Sequence, residues 1–198
     1  MQKLLKAAGL SLFLFFTACN NNQERDISQA NNVEEKQSFF PVTQFLLGQL
    51  NEIEGMPVTP VKITMRSGKK DSVWLKKEDI RSFAAPFLRP VIDSASMQKY
   101  FTEKSFLDQT INALTLSYDL KSSIPDSIKL NHWDVYIDPQ KGAVQRIFLV
   151  KNEVVNGQNI TTQLTWKVNK WCSIRRIIQE SKKEAVVTEE IMKWDFED

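Results

Sequence analysis

Hydrophobic and polar positions change their spacing several times along this chain. Ala7 to Phe16 is an apolar run broken only by Gly9 and Ser11, and residues 20–38 are polar with few aliphatics. From Phe39 the apolar positions become periodic. Leu46, Leu50 and Ile53 fall at i, i+4 and i+7, which predicts an amphipathic helix over about 42–54. Gly48 weakens that helix, and Gly55, Pro57 and Pro60 end it. Val61, Ile63 and Met65 then alternate with Lys62, Thr64 and Arg66, the pattern of a half-buried strand. Ser67-Gly68-Lys69-Lys70 turns the chain so that 71–75 can return beside it. Ile80, Phe83, Ala84 and Phe87 restore helical spacing over 77–87, within limits set by Pro86 and Pro90. Asp93 or Ser94 is placed to cap another short helix carrying Met97, Tyr100 and Phe101. Residues 102–112 show no clear period.

From Ala113 the period is two. Leu114, Leu116, Tyr118 and Leu120 share one face of a strand, and Trp133, Val135 and Ile137 share one face of the next. Asp138-Pro139-Gln140-Lys141-Gly142 reads as a turn, with Pro presetting φ and Gly taking the positive φ. Ile147 and Leu149 oppose Val144, Arg146, Phe148 and Val150 on the following strand. Asn156-Gly157 is a strong two-residue hairpin signal. Ile160, Thr162, Leu164, Trp166 and Val168 line one face of the strand after it. Two last strands, 171–179 and 185–196, are predicted to pair around a loop at 181–184. In that register Ile178 meets Val187, Arg176 meets Glu189, Arg175 meets Glu190, Ile174 meets Ile191 and Trp171 meets Trp194. Ile177 with Thr188 and Cys172 with Lys193 fit it less well.

These elements predict an α+β fold. Short helices and a β-hairpin come first, followed by a C-terminal antiparallel meander sheet of about six strands. A sheet curved around the helical elements buries both sets of apolar faces.

The first run has a different meaning. Its roughly ten apolar residues are about half of what a membrane-spanning helix needs. Lys3 and Lys6 precede it, and the small residues Thr17 and Ala18 follow, immediately before Cys19. This is the layout of a secretory signal peptide. The stretch Phe16-Thr17-Ala18-Cys19 resembles the lipobox of bacterial lipoproteins, with Phe16 where that family usually has Leu. The resemblance implies removal of residues 1–18 and transfer of a diacylglyceryl group to the Cys19 thiol. It also implies acylation of the new N-terminus by a fatty acid such as palmitate. Two or three chains anchor firmly where one holds only marginally. The expected address is therefore the bacterial cell envelope, on the outer membrane, with the periplasmic and surface faces both open. Glu24 and Asp26 resemble the acidic export signal of Bacteroidota-type lipoproteins, although Arg25 interrupts it. Residues 19–38 read as a disordered tether, too poor in apolar residues to pack. About nineteen such residues reach about 65 Å when extended. Residues 39–198 form a single domain. Its layout, although no motif, resembles the half-barrel lipoprotein carriers of the envelope.

Charge narrows the partners. The chain holds 26 Lys and Arg against 24 Asp and Glu; without Lys3 and Lys6 the two are equal. A neutral mature chain has no electrostatic footprint for nucleic acid. With Cys19 lipidated, Cys172 is the one remaining cysteine, so no intramolecular disulfide forms and a buried thiol is expected.

Candidate chemistry is sparse. His132 is the single histidine, and Asp134, two residues on, shares its face. Such a pair can orient a base for a serine such as Ser117 or Ser173, yet no Gly-x-Ser-x-Gly elbow accompanies it. A solvated histidine on a strand face is the simpler reading. One histidine and one spare cysteine make a poor zinc set, and no glycine-rich phosphate loop occurs. No catalytic residue, metal or cofactor is assigned. The five tryptophans read first as core packing on strands, with Trp133, Trp166 and Trp171 as the candidates to line a ligand pocket. Arg175, Arg176, Glu189 and Glu190 read as cross-strand ion pairs. Asn159-Ile160-Thr161 matches a glycosylation acceptor, which a bacterial lipoprotein usually leaves bare. The overall expectation is a lipid-anchored, non-enzymatic protein whose sheet binds a protein partner or an apolar small molecule. An envelope hydrolase using His132 and Asp134, or a structural accessory of an envelope complex, is the alternative.

Overall fold

A computed structural model describes residues 39–196 apart from 122, 123, 126 and 181–183. The anchor at Cys19, the signal peptide, the tether and most of the 181–184 loop lie outside the described residues. Helix α1, Val42–Gly55, forms where the apolar spacing predicts it. Val42, Leu46, Leu50 and Ile53 all point into the core, while Glu52 and Glu54 stay outside. The Met56 N–H closes the helix on the Glu52 and Ile53 carbonyls. Residues 77–88 form not one helix but a 3-10 turn (Lys77–Asp79), a short α2 (Ile80–Ala84) and a second 3-10 turn (Ala85–Leu88), with Pro86 at the start of the last. Ile80, Ala84 and Phe87 still bury one face together. Helix α3 is the single turn Ser94–Met97, and Asp93 Oδ1 accepts from the Ala95 N–H at 3.0 Å. Among the described residues no helix is long and apolar enough to cross a membrane.

The strands are β1 (Val61–Arg66), β2 (Lys69–Trp74), β3 (Phe101–Asp108), β4 (Ala113–Leu120), β5 (Leu130–Ile137), β6 (Val144–Val155), β7 (Gln158–Lys167), β8 (Trp171–Gln179) and β9 (Val186–Lys193). They make one open antiparallel sheet of nine strands, ordered β2-β1-β9-β8-β7-β6-β5-β4-β3. The molecule is thus mainly β, and the expected six-strand meander is too short on two counts. The patternless stretch 102–112 supplies β3. It is an edge strand whose Phe106 and Leu107 are exposed, so burial never imposed an alternation on it. The early hairpin also joins the sheet, because β1 pairs with β9 more than a hundred residues later. Ser67-Gly68 and Asn156-Gly157 both take positive φ at both turn residues, which matches the twist of a two-residue hairpin.

The register of β8 with β9 differs from the expected one by a single residue. Arg176 faces Thr188, Arg175 faces Glu189, Ile174 faces Glu190 and Cys172 faces Met192. A one-residue slip moves every side chain of a strand to the other face. Only the observed register turns Cys172, Ile174, Met192 and Trp194 inward together. The poor match of Cys172 with Lys193 was the visible sign of this.

The helical segments cover one face of the sheet, here called inner. Trp133 stacks on Tyr118 with ring centres 4.5 Å apart and an interplanar angle of 10°, and Phe101 meets its edge at 4.6 Å. Trp166 packs edge-on to Phe87 at 5.3 Å. A buried Thr43 hydroxyl accepts from the Ile92 N–H at 2.8 Å, tying α1 to the chain just before α3. Burial of each large apolar side chain contributes about 1.5–3 kcal/mol, so this layer dominates stability.

Candidate functional site

Two polar regions of the sheet carry groups capable of chemistry. On the outer face, His132 of β5 lies between two carboxylates. Its Nδ1 is 2.9 Å from Asp119 Oδ1, and its Nε2 is 3.0 Å from Asp134 Oδ1. The second contact is an ion pair rather than a directed hydrogen bond, since Asp134 Oδ1 has no partner at hydrogen-bond geometry. Asp119 also binds Lys104 Nζ at 3.0 Å, and the Tyr136 hydroxyl donates to Asp134 Oδ2 at 3.1 Å. Ser117 stands opposite Asp134 in the sheet.

The close contact with Asp134, then the pull of both carboxylates, raises the His132 pKa above its usual 6.5, against burial. Burial works against ionisation of Asp134, but the ion pair with His132, with Ser117 and Tyr136 beside the carboxyl, outweighs it and holds the carboxyl below its usual range. The imidazole is thus stabilised as a cation with both nitrogens occupied. A general base needs one nitrogen free to accept a proton. Ser117, moreover, stands beside the Asp134 carboxyl and helps hold it ionised. The elements of a triad share one face without the order of contacts that a triad requires.

The tryptophans belong mostly to the interior. Trp133 and Trp166 are completely buried among core side chains, and Trp171 is half-buried at the start of β8. None of the three lines any of the cavities described below. The apolar half of the inner face, where a tryptophan-lined pocket would have lain, is occupied by α1 and its neighbours, so core packing, the favoured reading, holds for Trp133 and Trp166. Cys172 is buried, and burial pushes its thiol pKa well up, which makes it unreactive.

The second region lies on the inner face beyond the helical cover. Directly opposed residues form a row across five strands: Lys151 of β6, Thr162 of β7, Arg176 of β8, Thr188 of β9 and Arg66 of β1. It borders the apolar row Leu149, Leu164 and Ile174. Lys151 Nζ donates to the backbone carbonyls of Pro86 and Arg89, which fastens the second 3-10 turn to the sheet. Burial lowers the Lys151 pKa from 10.5 to about 8, against the nearby charge of Glu153. Arg176 Nη1 binds Glu190 Oε2 at 2.8 Å, and Lys62 Nζ binds the other oxygen of Glu190 at 2.6 Å. Burial opposes ionisation of Glu190, yet these two cations hold its pKa below the usual value.

An open cavity of about 610 Å³ sits on this row, lined by Arg89, Lys129, Lys151, Glu153, Thr162 and Arg176, with Pro86, Pro90, Val91 and Ser127 at its rim. Lys129 and Glu153 also border a cavity of about 680 Å³ whose walls include Ile124, Pro125, Ile128 and Ile160. Pro86 and Arg176 border a third, of about 370 Å³, that reaches Lys62 and Glu190. The first two share Lys129 and Glu153 and the first and third share Pro86 and Arg176, so the three adjoin one another on the inner side of the sheet and are together called the trough. The volume of each is in the range of small-molecule sites, and their lining mixes charged side chains with apolar ones, Phe83 included.

Sequence reading did not single out this trough. One signal was present: Lys151 continues the inward alternation of Ile147 and Leu149, and an inward lysine on a strand calls for a partner or a function. Arg89 and Lys129 come from irregular segments, and nothing in the pattern brings them to it. The Arg-Glu cluster was read as cross-strand ion pairs, Arg176 with Glu189 and Arg175 with Glu190; with the register shifted by one, Arg176 instead pairs diagonally with Glu190, and Arg175 stands opposite Glu189. Among the described residues, no group of three or more His, Cys, Asp or Glu side chains is placed to hold a metal ion. Comparison with known proteins gives no match: neither a family model nor a curated protein corresponds to this chain.

Proposed function

We propose that this is a lipid-anchored, non-enzymatic binding protein of the bacterial cell envelope, and that the uncovered inner face of its sheet holds the ligand or partner. The observation that carries the reading is the trough itself. The helical layer fills the apolar half of the inner face and stops at a polar row that remains open to solvent. Lys151 and Arg176 are held there by the Pro86 and Arg89 carbonyls and by Glu190, yet both also line the open cavity. The lipobox-like segment ending at Cys19 supports the address.

Two experiments test the parts separately. Cys19→Ser should move the protein from the membrane to the soluble fraction; retention on the membrane would contradict the anchor. Native mass spectrometry of protein extracted gently from its own envelope should show an added mass that Thr162→Trp removes, because the indole fills the trough floor. Identical spectra for the two proteins would contradict the binding role.

A structural accessory role has one observation in its favour. Trp74, on the edge strand β2, is 69% exposed and meets Phe196 edge-on with ring centres 6.2 Å apart. In that case Trp74→Lys, and not Thr162→Trp, removes the bound species. The hydrolase alternative has less support, since both His132 nitrogens are occupied.

A further inference from the structure

The charges of the central cavity do not cancel. Four cations line it, Arg89, Lys129, Lys151 and Arg176, against one carboxylate, Glu153. Arg176 is committed to Glu190. Lys151 is hydrogen-bonded, but to the neutral carbonyls of Pro86 and Arg89, so its charge is not compensated there. Arg89 and Lys129 make no ion pair among the described residues. Glu190, the next acid along the trough, is already bound by Lys62 and Arg176. The mature sequence is neutral as a whole, so a cavity with surplus positive charge is a local arrangement rather than a consequence of composition.

We propose that this cavity is an anion site that takes the phosphate or carboxylate group of a ligand between Arg89, Lys129 and Lys151. The proposal rests on the trough being the binding surface and adds the class of ligand. Arg89 supplies a planar fork suited to two oxygens of one anion, and Lys129 and Lys151 add point charges to the same lining. The Thr162 hydroxyl lies on the floor between Lys151 and Arg176. Lys151 is partly buried, so its attraction for an anion is screened less than that of a surface lysine. The adjoining cavity, with Ile124, Pro125, Ile128 and Ile160, gives room for an uncharged or apolar remainder of the ligand. A free phosphorylated or carboxylated solute and an anionic lipid headgroup share this chemistry.

The test uses the full chain carrying Cys19→Ser and nitrogen-15 label, titrated with inorganic phosphate at fixed ionic strength. Saturable shifts are expected at the amides of Arg89, Val91, Lys129, Lys151, Thr162 and Arg176. The double variant Arg89→Ala/Lys129→Ala, whose side chains are exposed and carry no structural bond, should bind about tenfold more weakly with an unchanged melting temperature. A parallel arm measures sedimentation with vesicles of equal parts phosphatidylglycerol and phosphatidylcholine. Phosphate saturation without vesicle binding identifies a soluble ligand. Vesicle binding that the double variant loses identifies a lipid headgroup. Failure of both arms, shifts scattered over the surface, or equal binding by the double variant would overturn the proposal. A bound mass that Thr162→Trp removes, combined with failure of both arms here, means an uncharged ligand: the trough then stands as the binding surface and the anion site falls.

Discussion

His132 shows how much of this molecule is decided by which groups a side chain meets. Its nitrogens face Asp119 and Asp134, and the cationic ring is favoured in the folded state. Because its folded pKa is raised, the stabilisation is fully present below the unfolded value of about 6.5 and is lost as pH rises through the folded one. The difference in urea unfolding free energy between wild type and His132→Gln should therefore be larger at pH 5.5 than at pH 8.5. A difference that stayed constant, or grew with pH, would show that the ring is not held as a cation. The sequence placed His132 and Asp134 on one face from strand period alone. Asp119 was not legible, since it comes from β4 through a pairing that no local pattern encodes. The same limit hid the trough: Lys151 could be seen pointing inward, while Arg89 and Lys129 reach it only through the folded path of their loops.

At the scale of elements, local chemistry decides the outcome wherever backbone geometry is special. Gly48 sits on the exposed side of α1, and a Cβ there meets nothing within 4 Å. Gly157 ends a hairpin turn at φ +75°. Gly48→Ala should raise stability by roughly 0.5–1 kcal/mol through helix propensity. Gly157→Ala should lower it by about 1 kcal/mol or more, since the turn conformation is strained for a residue with a Cβ. Chemical denaturation of the two variants checks both signs. The helix, the hairpin turns and most strands were legible for this reason: each is written in periodicity or turn residues within a dozen positions. The β8–β9 register was not, because pairing apolar with apolar satisfied two strands at the expense of the face they share with seven others. Strand β3 was missed because an exposed edge requires no alternation.

The whole molecule is a sheet with two unlike faces and one face unevenly covered. The described residues fall in one compact unit, Gln37–Asp198. Seven consecutive strands form the meander, and the early hairpin pairs beside its last strand, so β2 and β3 are the two edges of one sheet. Along the inner side, the fully buried rows under α1 give way to the Lys151-Thr162-Arg176 row and the trough above it. The outer side carries the His132 network, in which the ring pairs with Asp119 and Asp134. This asymmetry underlies the central claim, that binding takes place on the inner face. It is tested most directly by placing a photoreactive benzoylphenylalanine in living cells at Val91, on the trough rim, or at Gln163, on the outer face of β7. Irradiation followed by intact-mass measurement should give an adduct from position 91 and none from 163. An adduct from 163 with none from 91 would place binding on the wrong face and contradict the account.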